Sequence, residues 1–111
     1  MAKPQCLLFL VLLAAPLGMP LGVQAQSPPD PSFRLTNRTA RAINEIYVAS
    51  AGVNSWGADR LGDKTLGSGA NTTIRLPAGQ CVNDVRVIFD TGEATERRRV
   101  NTCSQGDLVF P

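Results

Sequence analysis

Histidine is missing from all 111 residues, which removes His-based triads, His general bases and His metal ligands from consideration. Aromatic residues make up only 5%, with one Trp and one Tyr, so the stacking platforms of single-strand nucleic-acid binders have little to be built from. No excess of one charge exists either: 11 Lys and Arg against 9 Asp and Glu leave +2, which gives no general pull toward nucleic acid. No apolar run reaches the roughly 20 residues a membrane-crossing helix needs. Cysteine is sparse, three residues in all. What is present is an apolar fraction of 43%, enough for a small core, punctuated by ten Gly and eight Pro. The length allows one domain.

The chain opens with Lys3 ahead of an apolar run at residues 6–15, too short to span the roughly 30 Å hydrocarbon core and shaped like the h-region of a signal peptide. Pro16, Gly18, Pro20 and Gly22 break it, and Val23-Gln24-Ala25 offers small residues at the cleavage positions, so cleavage is expected after Ala25. No Arg pair precedes the run, which favours the general secretory route, and Cys6 lacks the context of a lipoprotein site. Removing residues 1–25 takes out Lys3 alone among the charged side chains and leaves 86 residues with ten basic and nine acidic groups. The same cut leaves two cysteines, Cys81 and Cys103, and a pair in an exported chain normally closes. The chain-entropy relation gives such a cross-link roughly 3 kcal/mol of stabilisation. A periplasmic or secreted protein with no membrane span after cleavage is expected.

Residues 26–32, with Pro28, Pro29 and Pro31, read as an extended, flexible lead-in, and residues 33–111 as a single domain. Short alternating segments at 33–36, 43–49, 71–76, 82–89, 94–102 and 107–110 predict about six strands and no helix beyond a turn, a small antiparallel β-sandwich. In 43–49 both faces carry apolar groups, with Ile46 and Val48 on one side and Ile43, Glu45 and Tyr47 on the other, as suits a central strand. Residues 51–69 hold five Gly and read as a long loop. Asp90-Thr91-Gly92-Glu93 predicts a hairpin turn. A two-residue turn sets Asp84 opposite Arg99 and Arg86 opposite Arg97, and brings Glu96 and Arg98 to the side of Val85; a three-residue turn brings Arg97 and Arg99 there instead. Either conflict assigns residues 94–102 to an exposed edge.

Chemistry has few candidate positions. Trp56, the only Trp, lies in the Gly-rich loop, where it either presents a ring to a sugar or a partner side chain or folds over an open end of the sandwich beside Leu61. Asn54, Asp59 and Asp63 are too few and wrongly spaced for an EF-hand; the plain alternative is that Asp59 caps the loop backbone or pairs with an arginine. Arg97-Arg98-Arg99, with Arg86 and Arg75, reads as a basic patch or, more plainly, as a solvated edge strand guarded against sheet-to-sheet pairing. Lys64 is the only base available to Ser55 or Ser68, in loop positions that imply no desolvation. Asn37-Arg38-Thr39 and Asn71-Thr72-Thr73 match the glycosylation sequon.

Leu35-Thr36-Asn37-Arg38-Thr39, Ile46-Tyr47-Val48-Ala49, Trp56-Gly57-Ala58-Asp59-Arg60-Leu61-Gly62, Leu76-Pro77-Ala78-Gly79-Gln80-Cys81 and Asp84-Val85-Arg86-Val87-Ile88-Phe89, ending at Cys103, together resemble a family of small exported, uncharacterised bacterial proteins. The Trp-Gly-x-Asp-x-Leu-Gly loop is its most distinctive piece. The resemblance implies a periplasmic or secreted domain and brings no activity, cofactor or catalytic residue with it.

The expectation is therefore a non-catalytic module, not an enzyme, that needs no cofactor or metal. It would bind an envelope protein or a glycan through residues 51–69, with Trp56 as anchor and Asp59 and Arg60 as polar contacts. The competing expectation is a structural or accessory envelope component with no ligand, in which Trp56 belongs to the core. A small enzyme or enzyme inhibitor is a third.

Overall fold

The computed structural model describes residues 29–111; the leader and the cleavage position at Ala25 lie outside the described residues. Six strands form: β1 (Phe33–Asn37), β2 (Ile43–Ser50), β3 (Asn71–Ile74), β4 (Val82–Phe89), β5 (Ala94–Asn101) and β6 (Asp107–Phe110). They make two three-stranded sheets, ordered β3-β1-β6 and β2-β4-β5, and the described fold is all-β. Period-two alternation sends Phe33 and Leu35 of β1, Ile74 of β3, and Leu108 and Phe110 of β6 into a shared core. There they meet Ile43, Ile46 and Val48 of β2 and Val85, Val87 and Phe89 of β4. The disulfide between Cys81 and Cys103 joins the entry of β4 to the exit of β5, with the Cα atoms 5.1 Å apart. Asn83, fully buried beneath it, donates to the Gln80 carbonyl and the Thr102 hydroxyl and accepts from the Gln80 amide, so none of these buried polar groups is orphaned.

Four details depart from the sequence reading. First, β2 is an edge strand, not a central one, and Ile43 faces the core together with Ile46. The reason is a bulge: Ile43 pairs with Phe89 and Glu45 with Ile88, so Asn44 is an extra residue that reverses the strand's parity. Second, the hairpin uses both turn registers in succession. Arg86 pairs with Glu96 and Val85 with Arg97, but Asn83 pairs with Val100 and Val82 with Asn101. The residue between, Asp84, faces the surplus Arg98 and Arg99, and this bulge removes the Arg86–Arg97 repulsion in favour of an Arg86–Glu96 ion pair at 3.7 Å. Third, β6 runs parallel to β1, because the chain re-enters the first sheet from the end where β1 begins, with Arg34 N–H donating to Gly106 O at 2.9 Å. Fourth, Pro31 is fully buried and Ser32 Oγ accepts the Leu76 N–H, so the last residues of the lead-in are docked on the domain.

The strand 94–101 does lie at a sheet edge, as its charge pattern requires. Its inward Arg97 is accommodated at the open side of the sandwich, where the guanidinium lies 4.8 Å from the Phe110 ring centroid and donates to Val109 O at 2.8 Å. One side chain thus links the edges of the two sheets.

Candidate functional site

An edge strand exposes unpaired N–H and C=O groups, and β2 has its own covered by the loop that follows it. Asp59 Oδ1 accepts the N–H of Ile46 and the N–H of Leu61, both at 2.9 Å. The Ile46 carbonyl in turn accepts the Arg60 N–H at 2.7 Å, and Ile43 and Leu66 exchange both backbone bonds at 2.9 and 2.8 Å. Residues 59–66 therefore lie along β2 as a closing strap. Asp59 serves that strap as a backbone acceptor, and Arg60 reaches across to donate from Nη1 to the Arg75 carbonyl at 2.9 Å. Two of the three expected contact residues hold the loop in place.

Trp56 sits differently. It is half-buried and lies outside the contiguous core, which Leu61 of the same loop does join. The Arg98 guanidinium lies over its ring, 5.3 Å from the centroid. That guanidinium is fixed from two further sides, donating from Nη1 to Asp84 Oδ2 at 3.0 Å and from Nη2 to Glu96 Oε1 at 2.6 Å. Both carboxylates push the Arg98 pKa above its already high ordinary value, the Asp84 hydrogen bond most.

Asp84 is the hub of this arrangement. Although it points to the outer side of β4, only 5% of its side chain is exposed, because the turn after β2 lies over it. Its Oδ1 accepts the Arg99 N–H at 2.9 Å, and its Oδ2 accepts the Gly52 N–H at 3.3 Å as well as Arg98. These donors hold its pKa below the ordinary 3.8, the Arg99 N–H contributing most, against a burial effect that acts the other way. Gly52 has φ +84°, which an L side chain adopts only with strain. Arg99 has φ 57°, the one non-glycine positive φ among the described residues, and its N–H is turned to Asp84 by that conformation. Next along the same face, the Tyr47 hydroxyl donates to the Glu45 carboxylate, an acceptor that raises the phenol pKa above its usual value.

Beside this charged cluster two apolar side chains are exposed. Val53 at 54% and Val82 at 40% exposure are the exposed large hydrophobic side chains of the described residues. Both belong to this end of the second sheet, where Ala51 N–H donates to Val82 O and Val53 N–H to Ser50 O.

The sequence reading missed Arg98 as the partner of Trp56 and Asp84 as the carboxylate that holds Arg98. The available signal was Val100: as the main apolar residue of β5 it must face inward, three positions after Arg97, which demands one surplus residue between them. Other candidate chemistry is laid out plainly by the structure. The Ser68 hydroxyl donates to the Thr39 carbonyl, and among the described residues no three His, Cys, Asp or Glu side chains group to hold a metal ion. Asn37 of the first sequon is fully buried, its amide nitrogen donating to Arg41 O and Leu66 O and its oxygen accepting from Thr39, so a folded chain offers no glycan acceptor there. Asn71 of the second is exposed. Among the described residues no helix is long and apolar enough to cross a membrane. The chain matches no protein-family model, no curated protein and no solved structure.

Proposed function

We propose that this is an exported, non-catalytic binding module that takes an envelope protein, or a glycan, on the surface around Trp56. The observation that carries the reading is half-buried Trp56, held under the Arg98 guanidinium on a loop that Asp59 and Arg60 strap to the sheet, with exposed Val53 of the same loop and Val82 of β4 at the same end of the second sheet. An aromatic ring already held by a guanidinium loses little conformational entropy on binding, which is what makes an anchor effective. The two valines favour a protein partner over a sugar. Export is supported by the signal-peptide pattern of residues 1–25 and by a disulfide of the kind that persists in oxidising compartments. The non-catalytic reading is supported by a chain without histidine and by the Ser68 hydroxyl, which donates to a backbone carbonyl.

The test is capture by crosslinking from intact envelopes of the source cell, run beside a glycan array, with wild-type protein and Trp56→Ala. A discrete partner retained by wild-type and lost at least tenfold by the folded variant supports the reading. Equal retention by both proteins contradicts it, as does the absence of any specific partner. The second outcome favours the accessory component without a ligand.

A further inference from the structure

The outer face of the first sheet carries a polar bowl that the Trp56 surface does not involve. Alternation along β1 sends Phe33, Leu35 and Asn37 inward and therefore places Arg34 and Thr36, with Arg38 just beyond, on the outer side. Pairing brings Asn71 of β3 opposite Thr36 and Asp107 of β6 opposite Arg34. The distal end of the 51–69 loop adds Ser68. With Gly69 these six residues line an open cavity of about 560 Å³, within the range of roughly 300–1,000 Å³ common to small-molecule sites.

We propose that this bowl binds a hydroxylated ligand bearing one carboxylate, the chemistry of a uronic acid. Asp107 is oriented from two sides, by Arg34 at 3.6 Å and by the Thr36 hydroxyl, which donates to Oδ1 at 3.3 Å. Arg38, by contrast, has no ion pair or side-chain hydrogen bond among the described residues, and its guanidinium is available for two parallel bonds to a carboxylate. Two arginines and one aspartate leave the bowl with a single positive charge, matched to one carboxylate better than to a doubly charged phosphate. Asp107 keeps lone pairs for ligand hydroxyl donors. Ser68 Oγ, which donates to Thr39 O, retains its acceptor capacity, and the Asn71 amide, exposed and without an internal side-chain bond, can both donate and accept. The arrangement is a cation for the acid group flanked by acceptors for the hydroxyls.

The test is an amide NMR titration of the secreted, disulfide-intact protein with sodium glucuronate, methyl glucoside as the uncharged control, sodium sulfate as the competing anion, and an oligogalacturonate. Saturable shifts at Thr36, Gly69 and Asn71 with glucuronate are expected, with none from the glucoside. Arg38→Gln, at an exposed position whose backbone N–H still reaches Phe110 O, is expected to keep its Tm and bind about tenfold more weakly. Tighter binding of the oligomer than of the monomer supports the proposal and assigns the acid to a glycan; equal binding supports it and assigns a free sugar acid. Absence of saturation, an unchanged affinity in Arg38→Gln, or displacement by sulfate at equal concentration overturns it. Because Trp56 faces away on the other sheet, Trp56→Ala is expected to leave this titration unchanged.

Discussion

On the outer face of the second sheet, Arg98 touches Asp84, Glu96 and Trp56 at once; on the outer face of the first, Arg38 pairs with no charged side chain among the described residues. Both faces are built from alternating strands with charged residues outward, so alternation alone does not account for the contrast. What separates them is the roof. The turn and loop after β2 lie over the second sheet and bury the Asp84 carboxylate, and a buried charge requires partners, which Arg98, Gly52 and Arg99 supply. Arg34 and Arg38 are exposed, so their charges are hydrated and impose no such demand. Charge on the roofed face is held by buried partners, whereas on the open face Arg34 and Asp107 make only an exposed pair and Arg38 makes no ion pair among the described residues.

The largest expected effect comes from loosening the roofed side at its anchor. Replacing Cys81 and Cys103 together by Ala removes a cross-link between residues 22 apart in sequence. It is expected to lower stability by roughly 3 kcal/mol, which thermal unfolding reads as a fall of about 12–24 °C. Asp84→Asn comes next, with a smaller fall in Tm at neutral pH because three donors lose a charged acceptor. Its pH dependence sharpens the assignment. With the folded pKa below 3.8, the unfolded chain binds the extra proton as pH falls through that window. The stabilisation is complete above about pH 5 and is lost progressively as pH drops through 3.8 toward the folded value. Wild-type Tm measured against pH is therefore expected to decline more steeply there than that of the variant.

Arg99→Gly tests the bulge. The left-handed backbone costs an L residue roughly 1–2 kcal/mol, and glycine returns part of the relief as unfolded-state entropy. A gain of up to about 1 kcal/mol in denaturant midpoint analysis is expected, against a clear loss for the β-branched Arg99→Val. Arg34→Gln on the open face is the smallest effect, within about 0.5 kcal/mol by the same measurement. If it matched Asp84→Asn, the contrast between the faces would collapse.

Much of the fold was legible because period-two patterning is a local signal. Residues 107–110 and the disulfide came directly from it and from the cysteine count, and the six strands fall within a few residues of their expected bounds. The two bulges were not legible, since each reverses parity for reasons that lie across the sheet: Asn44 is surplus because Ile43 and Ile46 both reach the core, and Arg98–Arg99 because Val100 does. The candidate site was half legible. Trp56 stood out by its rarity, and capping was weighed for Asp59. The guanidinium over the Trp ring required the second bulge, and the Arg34–Thr36–Arg38 spacing was overlooked beside the more conspicuous run at 97–99.

The central claim is that Trp56 is a presented side chain and not a core one. Denaturant unfolding of Trp56→Ala beside Ile46→Ala, a truncation at a fully buried position, tests it most directly. Ile46→Ala is expected to lose about 2–5 kcal/mol and Trp56→Ala only about 1 kcal/mol. A loss at Trp56 equal to that at Ile46 would contradict the account.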